Sequence, residues 1–291
     1  MKAPAFEMII SFTRRVVNNG KFTTVTNGKI EDILRNNNGV YTTCRSFNKK
    51  IFMLNEHLER LQNGAHACKI EFDSNDMNII REMIKGNLNS YDRITIVVDK
   101  DNIFASFGNV FKLPDAVSIQ MSEGKRDNAN VKSVKWVNQR QELEKNIKNE
   151  VNEVVLTHND NCYEGLSSNF FIVMNGLVYT APLDAVLPGT VQKLVAELFP
   201  LQMRYQFPKL IDVNLWDAAM ISSTSRLVIP INKIHLENGD VVQLDPVNPF
   251  LMEVKDAVYR SILNKSEYPY IIFRILIQII QICKKKIVDQ K

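Results

Sequence analysis

Cysteine and histidine are scarce, with four of each in 291 residues. Cys44, Cys68, Cys162 and Cys283 form no CxxC pair, and His57, His66, His158 and His235 stand at no ligand spacing to a cysteine or to one another. The pattern excludes a disulfide framework and a structural zinc site, and no metal is expected. Free thiols in a reducing, cytoplasmic compartment are the expectation. Charge of one sign is equally unconcentrated: the net charge is +4, acids and bases interleave, and the only dense basic run is Lys284-Lys285-Lys286. Nothing resembles a basic stripe with interleaved aromatics, so no nucleic-acid partner is expected.

Long apolar runs are missing too. Met8 to Phe12 is too short for a secretory core and follows Glu7, so no signal peptide is expected. Tyr270 to Cys283 is mostly apolar, but Arg274, Gln278 and Gln281 interrupt it and it falls short of the roughly 20 residues that span a bilayer. An amphipathic or apolar tail over 265–291, with no membrane span and no share in function, is the expectation.

What is present is ordinary globular composition, 45% hydrophobic and 23% charged, long enough for one large domain or two smaller ones. Asn27-Gly28 marks a turn, and 39–43 begins a segment rich in β-branched and aromatic residues. A second strand ends at Phe52 to Leu54, after which Asn55 is positioned to cap a helix carrying Leu58, Leu61 and Ala65. Asp73 to Asp76 caps another helix, and strands follow at 93–98 and 103–107. The polar stretch SEGKRDNAN (122–130) reads as a connection. A short strand is expected at 131–137 and another at 153–157. The Asn175-Gly176 turn then joins a hairpin of 169–174 with 177–180. A helix at 190–198 and strands at 218–222 and 227–231 complete the pattern. The organisation expected is α+β, with an N-terminal unit at 20–115, a linker at 116–130 and a second unit at 131–264. A cleft between the two units is the natural place for a site.

The acid of CYEGLSSNFF (162–171) stands between two apolar strands. Glu164 is either a solvated turn residue or a buried carboxylate that needs a partner. Other groups are ambiguous alone. Lys132 begins the expected strand at 131–137, with Lys135 turned to the opposite face by alternation. His57 and Arg60 lie one helical turn apart, which reads as a polar face. Gly189-Thr190-Val191 opens a helix whose amides can meet an anion, and Ser223-Thr224-Ser225 offers hydroxyls. Together they fit a ligand with a phosphate, a pyridine nitrogen and an aldehyde. The phosphate needs a helix N-terminus, hydroxyls and an arginine; the ring nitrogen needs a carboxylate; the aldehyde needs a lysine.

GVYTTCR (39–45), EHLERL (56–61), YEGLSSNFF (163–171), APLDAVLPGT (181–190) and ISSTSRLVIPI (221–231) carry a resemblance, in order and spacing, to the fold-type IV (class IV) pyridoxal-phosphate enzymes. That family contains branched-chain aminotransferases, D-amino acid aminotransferases and 4-amino-4-deoxychorismate lyases. The resemblance implies a two-domain α+β fold with its active site in the interdomain cleft, pyridoxal 5'-phosphate as cofactor, and a homodimer. It implies that Lys132 forms the Schiff base, that Arg60 contacts the phosphate and that Glu164 pairs with the pyridine nitrogen. Asn169 shapes that pocket, and the Thr190 and Val191 amides with Ser223 and Thr224 complete the phosphate cup. Tyr41 faces the substrate. Arg45, in a Thr-Thr-x-Arg string similar to that of the lyases, is a candidate partner for a substrate carboxylate. Three readings stay open here: an aminotransferase acting on an amino acid, a lyase acting on an amino-chorismate, and a non-catalytic family member.

Overall fold

The computed structural model describes residues 8–14, 22–25, 29–88, 91–110 and 114–269. The turn expected at Asn27-Gly28, the tail from Tyr270 onward and Cys283 lie outside the described residues. The first half runs β1 (Met8–Thr13), β2 (Thr23–Val25), α1 (Ile30–Asn36), β3 (Val40–Phe47), β4 (Lys50–Phe52), α2 (Leu54–Ala67), α3 (Ser74–Lys85), β5 (Arg93–Val98) and β6 (Asn102–Gly108). Then come β7 (Val117–Glu123), α4 (Val134–Gln139), α5 (Gln141–Lys145), β8 (Glu153–His158), β9 (Asn161–Gly165), β10 (Asn169–Met174), β11 (Leu177–Thr180) and α6 (Thr190–Leu198). The chain continues through β12 (Met203–Tyr205), a 3-10 turn at Leu210–Leu215, β13 (Ala218–Ser223), β14 (Leu227–His235), β15 (Val241–Gln243), α7 (Pro249–Asn264) and β16 (Ser266–Glu267).

The fold is α+β, built on two sheets. The first has the order β16-β4-β3-β5-β6-β1-β2. Its inner face, with Cys44, Ile94, Ile96 and Phe107, packs on Leu58 and Leu61 of α2 and Ile80 and Ile84 of α3. The second has the order β12-β11-β10-β13-β14-β7-β8-β9, and β9 pairs with β10 as well as β8, so this sheet closes on itself. Its interior holds Ile119, Val155, Phe170, Ile221 and Ile231, while α6 and α7 cover its outside. Each fully buried aliphatic side chain contributes on the order of 2 kcal/mol.

Local chemistry explains most element ends. Asp73 accepts from the Asn75 and Asp76 amides and forms a capping box with Asp76 at the start of α3. Asn248 caps α7, where Pro249 occupies the first turn. The β10–β11 hairpin turns on Asn175 and Gly176 with φ of 53° and 71°, as a type I′ turn requires.

Four expectations are corrected. The linker expected at 116–130 begins with β7, a strand that pairs in parallel with both β14 and β8; the alternation of Val117, Ile119 and Met121 feeds the barrel core. The strand expected at 131–137 is a single bridge, Val40 to Ser133, followed by α4, because Ser133 caps a helix by accepting from the Lys135 amide. Asn55 is not the cap of α2: Met53 holds that place at φ 52°, and Asn55 instead accepts from Arg81 and donates to Glu267. The tail expected from 265 starts inside the fold, since Ser266 and Glu267 pair with β4 and the Met53 amide donates to the Lys265 carbonyl at 2.7 Å. Among the described residues no helix is long and apolar enough to cross a membrane.

Candidate active site

A cavity of about 940 Å³ lies between the two sheets. Tyr41, Thr43, Arg60 and Arg93 line it from the N-terminal half, and Lys132, Glu164, Asn169, Thr190, Ser223 and Thr224 from the C-terminal half. Eight of the ten residues picked out in the sequence therefore share one wall. Val191 and Arg45 do not. The Val191 side chain is buried in the core beneath α6, although its amide is one of the first-turn donors for which α6 supplies no acceptor. Arg45 does not line the cavity: it donates to the carbonyl of Ser225, which does, at 3.2 Å and lies 4.8 Å from the Phe47 ring centroid.

Lys132 is pinned by its backbone. The Tyr41 amide donates to its carbonyl at 3.0 Å, which brings the Lys132 amine 4.7 Å from the Tyr41 ring centroid. Lys135 projects from α4 into solvent. The separation of the two lysines thus comes from a helix start rather than from strand alternation. Burial holds the Lys132 pKa well below its ordinary value, and Arg60, Arg126 and Arg140 push it the same way; Glu164 opposes them.

Glu164 is no turn residue. It is buried on β9, directly across the ladder from Asn169. Its Oε2 accepts from the Leu187 amide at 3.1 Å, and Asn169 donates to the Leu187 carbonyl at 2.7 Å, so the two side chains grip one residue from both sides. Gly189 completes the arrangement: a Cβ there would meet Asn169 Oδ1 at 1.9 Å, so only glycine fits. Glu164 Oε1 is buried with no hydrogen bond, and Arg126 Nη1 stands 3.7 Å away, too far for one. Burial raises the Glu164 pKa to about 7, against the pull of Arg126, the Leu187 amide and Lys132.

The opposite end gathers donors and hydroxyls. Arg60 is half-buried, its Nε is buried without a partner, and desolvation lowers its pKa to about 10. It faces the start of α6, where Thr190 and Thr224 hydroxyls lie 2.9 Å apart. Ser222 Oγ, beside them, is also buried without a partner. Sequence reasoning missed three contributors. His57 was read as part of a polar helix face, yet it is fully buried. Arg126 came from a stretch read as polar linker, but it stacks 5.2 Å from the Trp136 ring centroid. Arg93 lines the cavity from β5. Nothing in their local patterns marks them.

The chain matches the family described as Amino-transferase class IV over residues 39–234. It is 21% identical over 259 residues to the D-alanine aminotransferase of Staphylococcus haemolyticus, covering 78% of this chain and 89% of that one. Among solved structures it is similar to a branched-chain aminotransferase from Thermoproteus uzoniensis with norvaline, at a TM-score of 0.69 and 18% identity over 89% of this chain and 96% of that one. It is also similar to a hypothetical aminotransferase from Mycobacterium tuberculosis in its α-ketoglutarate- and PMP-bound form, at a TM-score of 0.71 and 14% identity over 88% of this chain and 99% of that one. The chain belongs to the class IV aminotransferases, a family of pyridoxal-phosphate-dependent enzymes.

Proposed function

We propose that this chain moves an amino group between an amino acid and a 2-oxo acid, that one of the two partners is a dicarboxylate, and that Lys132 carries the proton. The observation behind this reading is the lowered pKa of Lys132 in a cavity shared with an under-satisfied carboxylate and an arginine whose Nε has no partner. Those unpartnered groups fit the cofactor. Glu164 Oε1 suits a ring N–H, while Arg60 Nε, the first-turn amides of α6 and the hydroxyls of Ser223 and Thr224 suit a phosphate. When bound, pyridoxal phosphate supplies an aldehyde for amine exchange and a ring that accepts the electron pair left by loss of the Cα proton.

The protein's own part follows from its geometry. A lysine whose pKa is held well below its ordinary value gives up its own proton more readily, and its free amine takes up the Cα proton and returns it. Tyr41 lies against that amine and limits where it swings. Glu164 as a carboxylate keeps a ring nitrogen protonated, and Arg126, at 3.7 Å, favours its charged form.

Arg93 supports the dicarboxylate. It pairs across the ladder with Arg45, as Thr95 does with Thr43, so it continues the sheet face that begins at Tyr41. Among the described residues its guanidinium has no hydrogen bond or ion pair, and it stands about 13 Å of strand beyond Tyr41, a place for a second carboxylate. The α-ketoglutarate of the Mycobacterium tuberculosis structure is of that chemical class. The lyase reading leaned on Arg45, whose Nη1 donates to Ser225 beside the Phe47 ring while its Nε is buried without a partner. A panel of amino donors with α-ketoglutarate or pyruvate as acceptor, run beside aminodeoxychorismate, tests the proposal. Glutamate formation from α-ketoglutarate is expected, with Arg93→Leu raising KM for the dicarboxylate and sparing pyruvate. Pyruvate release from aminodeoxychorismate with no transamination would overturn it.

A further inference from the structure

Behind the phosphate side of the cavity runs a line of polar groups, two of which, Thr42 and His57, the reaction above leaves unused. Arg60 Nη2 donates to Thr42 Oγ1 at 2.9 Å and faces His57 Nδ1 at 3.3 Å. Thr42 Oγ1 lies 2.8 Å from the same ring nitrogen. On the other side of the ring, His57 Nε2 is 3.3 Å from Thr224 Oγ1, which is 2.9 Å from Thr190 Oγ1. Thr42, His57, Thr190 and Thr224 are all buried. The line starts on β3 and α2 in one half of the molecule and ends at the start of α6 in the other.

The donors fix its direction. A guanidinium only donates, so the Thr42 oxygen accepts from Arg60 and the Thr42 proton turns to His57 Nδ1. That nitrogen, facing an arginine N–H and a hydroxyl proton, has to be the one with the lone pair. In a neutral imidazole the proton then sits on Nε2 and is donated to Thr224. The Thr224 proton is thereby turned away from the ring, toward Thr190 or the cavity. Burial, with Arg60 and Lys132 nearby, holds the His57 pKa well below its ordinary value and keeps the ring neutral.

We propose that His57 is a positioning residue for anion binding: it relays the polarity of Arg60 between the two halves and turns the one hydroxyl proton that the Thr224–Thr190 pair leaves free toward a phosphate held at the start of α6. A hydroxyl presents a proton or a lone pair with equal ease, and only the proton attracts an anion. With the opposite tautomer, Nε2 would accept from Thr224 and two donors would collide at Nδ1. Orientation fixed before binding removes a reorganisation that the ligand would otherwise drive. The proposal rests on the reading of this end of the cavity as the phosphate site.

Two measurements test it. In protein labelled with nitrogen-15 histidine, His57, assigned by its loss in His57→Gln, is expected as the neutral Nε2–H tautomer. The Nδ1–H form or an imidazolium overturns the proposal. In the second, pyridoxal phosphate and pyridoxal, which lacks the phosphate, are titrated into wild type, His57→Leu and His57→Gln. The leucine variant should bind pyridoxal phosphate about tenfold more weakly, with pyridoxal affinity unchanged. Glutamine, which keeps a donor near the Nε2 position, should recover most of the loss. Unchanged pyridoxal phosphate affinity in His57→Leu, or an equal loss for both ligands, overturns the positioning role. If His57→Leu does not fold, Thr224→Val removes the receiving hydroxyl and carries the same expectation. Wild type that binds the two ligands equally overturns the phosphate site itself, and the tautomer spectrum separates that failure from the first.

Discussion

Glu153 on β8 and Glu164 on β9 are neighbours in one sheet and equally buried, at 3% and 4% exposure. They titrate in opposite directions. Burial pushes both up, but Glu153 Oε2 meets Arg226 at 2.5 Å, Ser167 at 2.6 Å and Ser168 at 3.0 Å, and its pKa ends below the usual value. Glu164 has one backbone amide and an arginine out of hydrogen-bond reach, and its pKa ends at about 7. Each carboxylate costs several kcal/mol to desolvate, so what differs is how far the protein itself compensates. Glu153 is complete and ties the loop after β9 to the loop after β13. Glu164 is left with one oxygen unsatisfied on the cavity. A buried acid that the protein under-satisfies is a better mark of a site than burial alone.

The comparison breaks if changes on the ligand-facing side cost folding instead of chemistry. The largest effect is expected at the amine. Lys132→Ala should lower turnover by about 10³- to 10⁴-fold and leave the melting temperature of the ligand-free protein nearly unchanged, while Lys135→Ala changes neither. Steady-state kinetics check the first part. Borohydride reduction with peptide mapping checks the second: a pyridoxyl adduct on Lys135 would reverse the assignment.

On the complete side the cost should fall on stability. Arg226→Leu strands the Glu153 charge beside two serine hydroxyls, and breaking a buried pair costs about 3 kcal/mol or more. Urea unfolding of the ligand-free protein measures it. A loss below about 1 kcal/mol would mean that water reaches Glu153 and that the two acids differ less than their contacts suggest. Glu164→Gln should behave in the opposite way, binding the cofactor but losing about 10²-fold in turnover, because an amide hydrogen-bonds a ring nitrogen without holding it protonated. Wild-type turnover in this variant would remove Glu164 from the chemistry.

How much of this was legible in sequence depended on range. The Asn175-Gly176 hairpin, the Asp73 cap and α6 were readable because each is specified within a few residues. The strand β7 was hidden because SEGKRDNAN begins on its last two residues and its polarity outweighed Val117, Ile119 and Met121. Glu164 and Arg60 were visible as motif members and Lys132 through the resemblance, but their arrangement was not. Arg126 and Arg140, which tune Lys132, reach the cavity through tertiary packing alone. Arg45 shows the converse. It stands in a motif-like string and on the face next to Tyr41, yet the Ser225 carbonyl and the Phe47 ring hold its side chain. Alternation fixes a face, and the neighbours decide what a long side chain does there.

The smallest effect sharpens the comparison most, because it reads the incomplete carboxylate without any substrate. The folded-state pKa of Glu164 is raised from 4.5 to about 7. Between those values the folded protein keeps a proton that the unfolded chain releases. The contribution of this group is therefore fully present below pH 4.5 and is lost as pH rises through about 7. Glutamine does not titrate, so ligand-free Glu164→Gln lacks that slope. Melting curves of variant and wild type should converge on the acid side, and the variant should be the more stable above neutrality. Pyridoxal phosphate should flatten the wild-type slope, because a ring N–H beside Oε1 favours the charged carboxylate. Parallel curves for the two ligand-free proteins across the whole range would show that Glu164 is compensated by the protein after all, like Glu153, and the contrast between the two acids would disappear.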